Sequence, residues 1–227
     1  MESASTSDSP VPADSIRERP ILRGWSHVAG AIAALVLAPI LIGGTQSGTP
    51  RAVTAVYAFG VVALFAVSGF YHRVAWPTRF EAFFRRLDHS MIFVFIASTY
   101  TPIAAFVLEG RAATFILWFV WSGALVGALV RIIWIDAPRP AVVLPYIAVG
   151  WCVLFVIDDV WRRIGVAGFV LLAVGGALYT VGGAVYARKL PNPSPKWFGY
   201  HEVFHLLVVA AVAVHYVAVA FYALPQA

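Results

Sequence analysis

Long uninterrupted stretches of apolar residues constrain this chain more than any other feature of its sequence. About 20 apolar residues are enough to cross a bilayer as a helix, and such segments must satisfy their own backbone hydrogen bonds. Hydrophobic residues make up 61% of the chain and charged residues only 12%, which is not the balance of a soluble domain. The sequence therefore predicts an all-α membrane protein, a bundle of seven transmembrane helices. The seven stretches cover about 24–43, 52–72, 88–108, 113–134, 141–157, 166–186 and 199–222.

The first residues differ from the rest of the chain in composition. Residues 1–22 contain much serine, proline and aspartate and no apolar run, so we predict a disordered polar tail followed by a seven-helix domain at 23–227. With the N-terminus in the cytoplasm, 12 of the 16 Lys and Arg residues fall on the cytoplasmic side. This asymmetry predicts a cytoplasmic N-terminus, and seven spans then place the C-terminus outside.

The net charge of +5 comes from basic residues that cluster between the apolar runs. In that position Lys and Arg act as orientation signals and as contacts to lipid headgroups. We therefore expect a multi-pass protein of the cell membrane with membrane lipids as partners, and no nucleic-acid partner.

The last apolar run carries ionisable residues in its opening turns. Half of the six histidines of the chain lie in 199–222, and His201 and His205 are four residues apart. Positions i and i+4 lie on one face of a helix, and two imidazoles placed in this way can share one metal ion. Ionisable groups inside membrane segments are energetically costly and usually functional.

The predicted topology brings further polar groups to the same depth. His72 ends the second apolar run, Asp88 begins the third, and Ser68 shares the face of His72 one turn deeper. Three histidines with a nearby carboxylate have the composition of a catalytic zinc site, in which a fourth position stays open. The sequence therefore predicts zinc bound by His72, His201 and His205 near the cytoplasmic face.

Each of these residues also has a structural interpretation when it is considered alone. His72 and His201 can be interfacial side chains that reach lipid headgroups, and Asp88 can cap the third helix. Serine commonly hydrogen-bonds to the backbone of its own membrane helix. The joint pattern favours the metal site over these separate explanations.

The remaining histidines are expected to have supporting roles. His215 lies on the same helix face as His205 but about 15 Å deeper, so it cannot share the metal, and we predict an interhelical hydrogen bond for it. His27 and His89 lie at the level of the proposed site. Packing is the favoured role for both, with support of the metal ligands as the alternative.

Residues 201–205 read HEVFH, which also matches the H-E-x-x-H motif of zinc peptidases. In that motif the glutamate, here Glu202, is the general base. An intramembrane metalloprotease is therefore an alternative, although the sequence contains no evident peptide-binding strand or second protease motif.

The motifs S-G-F-Y-H at 68–72, L-D-H at 87–89 and H-E-V-F-H at 201–205, set on seven apolar runs, resemble the hemolysin III family. That family is related to the progestin and adiponectin receptors and, more distantly, to the alkaline ceramidases. The resemblance covers nearly the whole chain beyond the tail. It implies that His72, His201 and His205 hold zinc, that Asp88 orients the metal-bound water and that Ser68 supports the site.

The sequence thus predicts a zinc-dependent hydrolase of lipid amides or esters, with Asp88 and Ser68 as catalytic residues and a lipid substrate entering from the membrane. The alternative from another class is a non-enzymatic protein that zinc stabilises while it senses or adjusts the membrane. An intramembrane metalloprotease and a pore-forming haemolysin rank lower. The apolar runs carry no polar stripe that would line a channel.

Overall fold

The structure is a computed structural model that describes residues 20–227. The predicted polar tail falls on residues 1–22, of which 1–19 lie outside the described residues. The described part of the chain is α-helical and contains no β-strand. Its α-helices are α1 (Trp25–Gly43), α2 (Thr49–Arg73), α3 (Thr78–Pro102), α4 (Gly110–Ile133), α5 (Arg139–Gly150), α6 (Ile157–Arg188) and α7 (Tyr200–Ala218).

Six helical segments within residues 20–227 are long and apolar enough to cross a membrane, as judged by length and composition. Five of them are α1, α2, α3 extended to Val107, α4, and α7 extended to Gln226. The sixth is a stretch of 50 residues, Arg139–Arg188, which contains α5, the 3-10 segment Cys152–Val156 and α6. The prediction of an all-α membrane protein is confirmed, and the fifth and sixth apolar runs fall together in this one stretch.

Helix α3 begins at Thr78, well before Asp88, where the sequence placed its start. Pro77 precedes the first turn, and residues 78–87 contain neither proline nor glycine. Since nothing in this segment breaks a helix, α3 runs without interruption into the apolar stretch. Asp88 is an interior residue of α3, and the expectation that it opens or caps the helix is wrong.

Helices that follow one another in the sequence pack side by side: α1 on α2, α2 on α3, α3 on α4, and α6 on α7. Helix α7 also contacts α1, so the first and last helices meet. The outward faces of α1 and α4 expose large apolar side chains such as Ile40, Trp118 and Ile133. These faces suit lipid contact, while the polar side chains described below lie between the helices.

The contact between α2 and α3 depends on Gly60. A methyl group at this position would overlap the side chain of Ser98 on α3, which is buried. We expect Gly60→Ala to destabilise the protein by about 1–3 kcal/mol, because overpacking forces side chains or backbone to shift. Thermal unfolding of the purified protein measures this change.

Gly43→Ala is the matched control, because nothing lies within 4 Å of a methyl group at that helix end. It should unfold within a few degrees of the native protein. Adding Ser98→Gly to Gly60→Ala should restore part of the lost stability. If Gly60→Ala and Gly43→Ala unfold at the same temperature, the close packing of α2 on α3 at Gly60 does not stabilise the fold.

Candidate metal centre

Three imidazoles from the ends of two helices meet in the structure. His72 lies in the last turn of α2, and His201 and His205 lie in the first turns of α7. One nitrogen of each ring lies within 4.8 Å of the others, and His72 Nε2 is 3.3 Å from His201 Nε2. His72 and His205 are buried and His201 is partly buried. We call these three residues the histidine triad.

The first turn of α7 is fixed by a buried carboxylate. Glu202 Oε2 accepts a hydrogen bond of 2.7 Å from the backbone N–H of Gly199, the residue that precedes the helix. Arg23 donates through Nε to Glu202 Oε1. These contacts set the start of α7, and the four-residue spacing then places His201 and His205 on one face.

The same contacts decide the role of Glu202. Both of its oxygens are engaged, one by Gly199 and one by Arg23, and the side chain is only 3% exposed. A general base would have to face the metal ligands with a free oxygen. The geometry therefore favours a structural role for Glu202 and counts against the metalloprotease alternative.

Asp88 lies beside the histidine triad. Its Oδ2 is 3.8 Å from His72 Nε2, beyond direct hydrogen-bond distance, and the residue is buried. Ser68, one turn below His72 on α2, makes a side-chain hydrogen bond to Asp88. The carboxylate is thus held at the edge of the triad by a residue from a neighbouring helix.

A fourth imidazole, that of His27, lies against the triad, at a residue for which packing was the favoured prediction and support of the metal ligands the alternative. The ring of His27 stacks on that of His205, with centroids 3.8 Å apart and an angle of 8° between the planes. The edge of His27 also faces Phe65. The only signal in the sequence was its level at the start of the first apolar run.

The beginning of α1 comes close to the end of α2. Gly24 precedes α1 with a φ of 79°, a conformation that favours glycine. A Cβ atom at this position would lie 2.7 Å from Cβ of His72. Gly24 therefore lets the backbone before α1 pack directly against a triad residue.

The two remaining histidines lie outside the triad. His215 Nε2 is 3.1 Å from the carbonyl oxygen of Leu172 on α6, which confirms the predicted interhelical hydrogen bond. His89 Nδ1 is 2.8 Å from a guanidinium nitrogen of Arg131 on α4. Asp88 and His89 therefore face different partners, as expected for adjacent positions on a helix.

The donor set suits a zinc ion. Two nitrogens bound at about 2.0–2.1 Å to a tetrahedral zinc lie about 3.3–3.4 Å apart, and the His72–His201 pair is at 3.3 Å. Imidazole is a preferred ligand of zinc. Nδ1 of His205 is buried and has no hydrogen-bond partner among the described residues, so this nitrogen is not committed to another polar contact.

An apolar cavity of about 190 Å³ extends from the histidine triad between α3, α5, α6 and α7. Asp88, His201 and His205 line one end, and Ile103 and Phe169 lie at the other. The cavity also reaches His215, which is about 20 Å from His201 along α7 at 1.5 Å per residue. A long apolar chain therefore has space beside the triad.

Comparison with known proteins gives consistent matches along the chain. Residues 16–216 match the sequence profile of the family described as "Haemolysin-III related". The chain is 34% identical to "Hemolysin-3" of Bacillus cereus over 211 residues, which cover 91% of this chain and 93% of that protein. It is 33% identical to the "Hemolysin-3 homolog" of Bacillus subtilis (strain 168), with 60% of this chain and 61% of that protein covered. The human "Monocyte to macrophage differentiation factor" is 28% identical, with coverage of 72% and 67%.

Proposed function

This chain belongs to the Haemolysin-III related family and is a multi-pass protein of the cell membrane, and from these facts and the geometry above we propose that it is a zinc-dependent lipid hydrolase. The substrate is an amide or ester of a membrane lipid. The observation that carries this proposal is the position of the histidine triad, which lies beside a buried carboxylate at one end of a long apolar cavity.

The proposal includes seven membrane spans with a cytoplasmic N-terminus. As a single straight helix the stretch Arg139–Arg188 would be about 75 Å long, far more than the roughly 30 Å of a hydrocarbon core. The backbone leaves helical geometry at Gly165, where φ is 67° and ψ is −177°. A break here supports two spans within this stretch. Seven spans with a cytoplasmic N-terminus then place the C-terminus outside and the histidine triad near the cytoplasmic face.

In this proposal His72, His201 and His205 hold the metal. Zinc bound there would supply Lewis acidity and would lower the pKa of a coordinated water to about 7. The carboxylate of Asp88 accepts the proton of the attacking water, and the hydroxyl of Ser68 keeps that carboxylate in place. His27 restricts the ring of His205 by stacking on it.

The reaction is hydrolysis of an acyl bond. Water adds to the acyl carbon, the carbon–nitrogen or carbon–oxygen bond breaks, and the leaving amine or alkoxide takes a proton. The products are a fatty acid and an amine or an alcohol. The apolar cavity supports this assignment because it would keep the acyl chain out of water while the polar end remains at the triad.

The test is turnover by the purified protein, with zinc content measured in the same sample. We expect release of fatty acid from at least one class in a panel of lipid amides and esters. A chelator should stop the release, and added zinc should restore it. A preparation with one zinc per chain that leaves the whole panel intact would contradict the enzymatic part of the proposal.

The non-enzymatic alternative has one observation in its favour. Helix α2 packs mainly on α1 and α3, and α7 packs mainly on α6. A metal on the histidine triad would therefore join two helices that share few other contacts, and it would stabilise the bundle directly. In that case the protein senses or adjusts the membrane and catalyses no reaction. Removal of zinc then lowers its melting temperature, and no lipid in the panel is hydrolysed with or without zinc.

A further inference from the structure

A second pocket opens beside the histidine triad, on its polar side. It has a volume of about 380 Å³, and His72 and His201 belong to its lining. His201 also lines the apolar cavity, so the triad lies where the two spaces meet. We call this second space the basic pocket. Four arginines from four segments line it: Arg23 before α1, Arg85 on α3, Arg131 on α4 and Arg139 on α5.

Only two of these arginines are paired with carboxylates within residues 20–227. Arg23 contacts Glu202, and the Arg85 guanidinium is 2.8 Å from Asp136 Oδ1. Four guanidinium charges against two carboxylate charges leave a net charge of +2 on these side chains. The basic pocket therefore carries a positive charge that its own acidic residues do not neutralise.

The role of Lys and Arg in orienting the protein in the membrane explains how many arginines lie on this side. It does not explain why four of them line the same pocket. Such residues act through their position in loops and need not face one another. Arg131 shows the difference, because it is buried, and it donates to the carbonyl oxygens of Trp134 and Ile135 at the end of α4. These contacts and its pairing with His89 fix the Arg131 guanidinium at the wall of the pocket, a placement that a topological signal does not require.

Arg139 is the arginine best prepared to receive an anion. Its guanidinium lies over the rings of Tyr186 and Tyr200, at 5.4 Å from each centroid, and donates to the Tyr200 hydroxyl at 3.0 Å. These tyrosines hold the planar group in place without neutralising its charge. A guanidinium fixed in this way offers paired N–H donors that match the oxygens of a phosphate.

We propose that the basic pocket binds the phosphate group of an anionic phospholipid. The phosphate lies among the four arginines, and an acyl chain lies in the apolar cavity. The acyl bond that joins this chain to the rest of the lipid then lies next to the histidine triad. This inference rests on the proposed function for its substrate and deepens it, since it names an anionic phospholipid as the class of lipid that the site receives.

The test compares two ligands that differ only in the phosphate group. The zinc-loaded protein in a neutral detergent is titrated with a short-chain phosphatidate and with the diacylglycerol that has the same acyl chains. We expect the native protein to bind phosphatidate at least about tenfold more tightly, as charge-assisted hydrogen bonds to phosphate allow. Arg139→Gln should remove most of this preference.

Arg188→Gln is the matched control, because Arg188 ends α6 on the same side, is exposed and does not line the basic pocket. It should retain the preference. Arg85→Gln provides a second test at a more exposed position, since the Arg85 side chain is 37% exposed, and it should also lower the preference for phosphatidate. Equal binding of both ligands to the native protein, or equal losses in the Arg139 and Arg188 variants, would overturn the proposal.

Inorganic phosphate separates the two sources of the anion. If it displaces phosphatidate only weakly, the ligand is the lipid headgroup, as proposed. If it binds as tightly as phosphatidate, the pocket takes a free phosphate and the lipid assignment is wrong.

The binding test and the turnover test can contradict the two proposals independently. If the protein prefers phosphatidate but hydrolyses no lipid, the proposed hydrolase is wrong and the phosphate site remains supported. If it hydrolyses lipids with and without phosphate equally fast, the hydrolase remains supported and the phosphate site is wrong.

Discussion

His205→Ala is expected to abolish metal binding, so that the zinc content falls from about one equivalent per chain to less than about a tenth of that value. His205 is buried, it comes from the same helix face as His201, and its ring is aligned by His27. Without this ligand only two imidazoles remain, which is fewer than zinc sites in proteins use. Elemental analysis of the purified variants measures the change.

Loss of the metal should also lower thermal stability. A ligand present at 100 to 1,000 times its Kd stabilises the folded state by about 3–4 kcal/mol, provided that it does not bind the unfolded chain. Part of the loss in His205→Ala will come from the missing ring itself, since His27 and Phe204 pack against it. Native protein treated with a chelator isolates the contribution of the metal.

His215→Ala is the matched control for this experiment. It removes another imidazole from the same helix, a partly buried one that contacts the Leu172 carbonyl and not the histidine triad. It should retain a full equivalent of zinc, while it loses about 1 kcal/mol with its hydrogen bond and a further contribution with the packing of its ring against Tyr179. If His215→Ala loses as much metal as His205→Ala, the effect reports general damage to α7 and not loss of a ligand.

Asp88→Asn is expected to reduce lipid hydrolysis by about 10²–10⁴-fold, the usual contribution of a general base, while the zinc content stays unchanged. The amide keeps the size of the carboxylate and can still pair with Ser68, but it cannot accept a proton. Since Asp88 Oδ2 lies 3.8 Å from His72 Nε2, all three histidines remain available to the metal. Turnover and zinc content must be measured on the same preparation.

Glu202→Gln provides the comparison, because Glu202 is the other acidic residue next to the triad. Its oxygens are bound to Arg23 and to the start of α7, so we expect lower thermal stability and normal turnover per folded molecule. The opposite pattern, in which Glu202→Gln alone stops turnover and keeps zinc, would support the base of an H-E-x-x-H site. In that case the metalloprotease alternative would replace the lipid hydrolase.

Local spacing made much of this arrangement predictable. His201 and His205 are one helical turn apart, and His72 and Ser68 are one turn apart, so their shared faces follow from helical geometry alone. The common depth of His72 and α7 followed from the order of the apolar runs. These contacts required no knowledge of how the helices pack.

Long-range packing was not predictable in the same way. The Arg23–Glu202 pair joins residues 179 positions apart, and no sequence pattern links them. The stacking of His27 on His205 depends on α1 lying against α7. The convergence of four arginines on one pocket likewise depends on where helix ends meet, which composition does not specify.

Helix boundaries were the least predictable part of the fold. Hydropathy marks where the apolar segment begins, and Asp88 stands at that point, but helical geometry extends back to Thr78 because residues 78–87 contain no helix breaker. The stretch Arg139–Arg188 presents the converse case. Its helical elements follow one another so closely that length and composition assign one segment where the apolar pattern indicated two.

The most direct test of the metal centre is zinc X-ray absorption on protein purified from cells without added metal. We predict one zinc per chain, coordinated by three imidazole nitrogens at about 2.0–2.1 Å. That result would assign the ion to His72, His201 and His205, the only group of three or more His, Cys, Asp or Glu residues within 20–227 whose ligand atoms lie close enough to share one. Protein that carries no zinc, or zinc without histidine ligands, would contradict the metal centre and the hydrolase built on it.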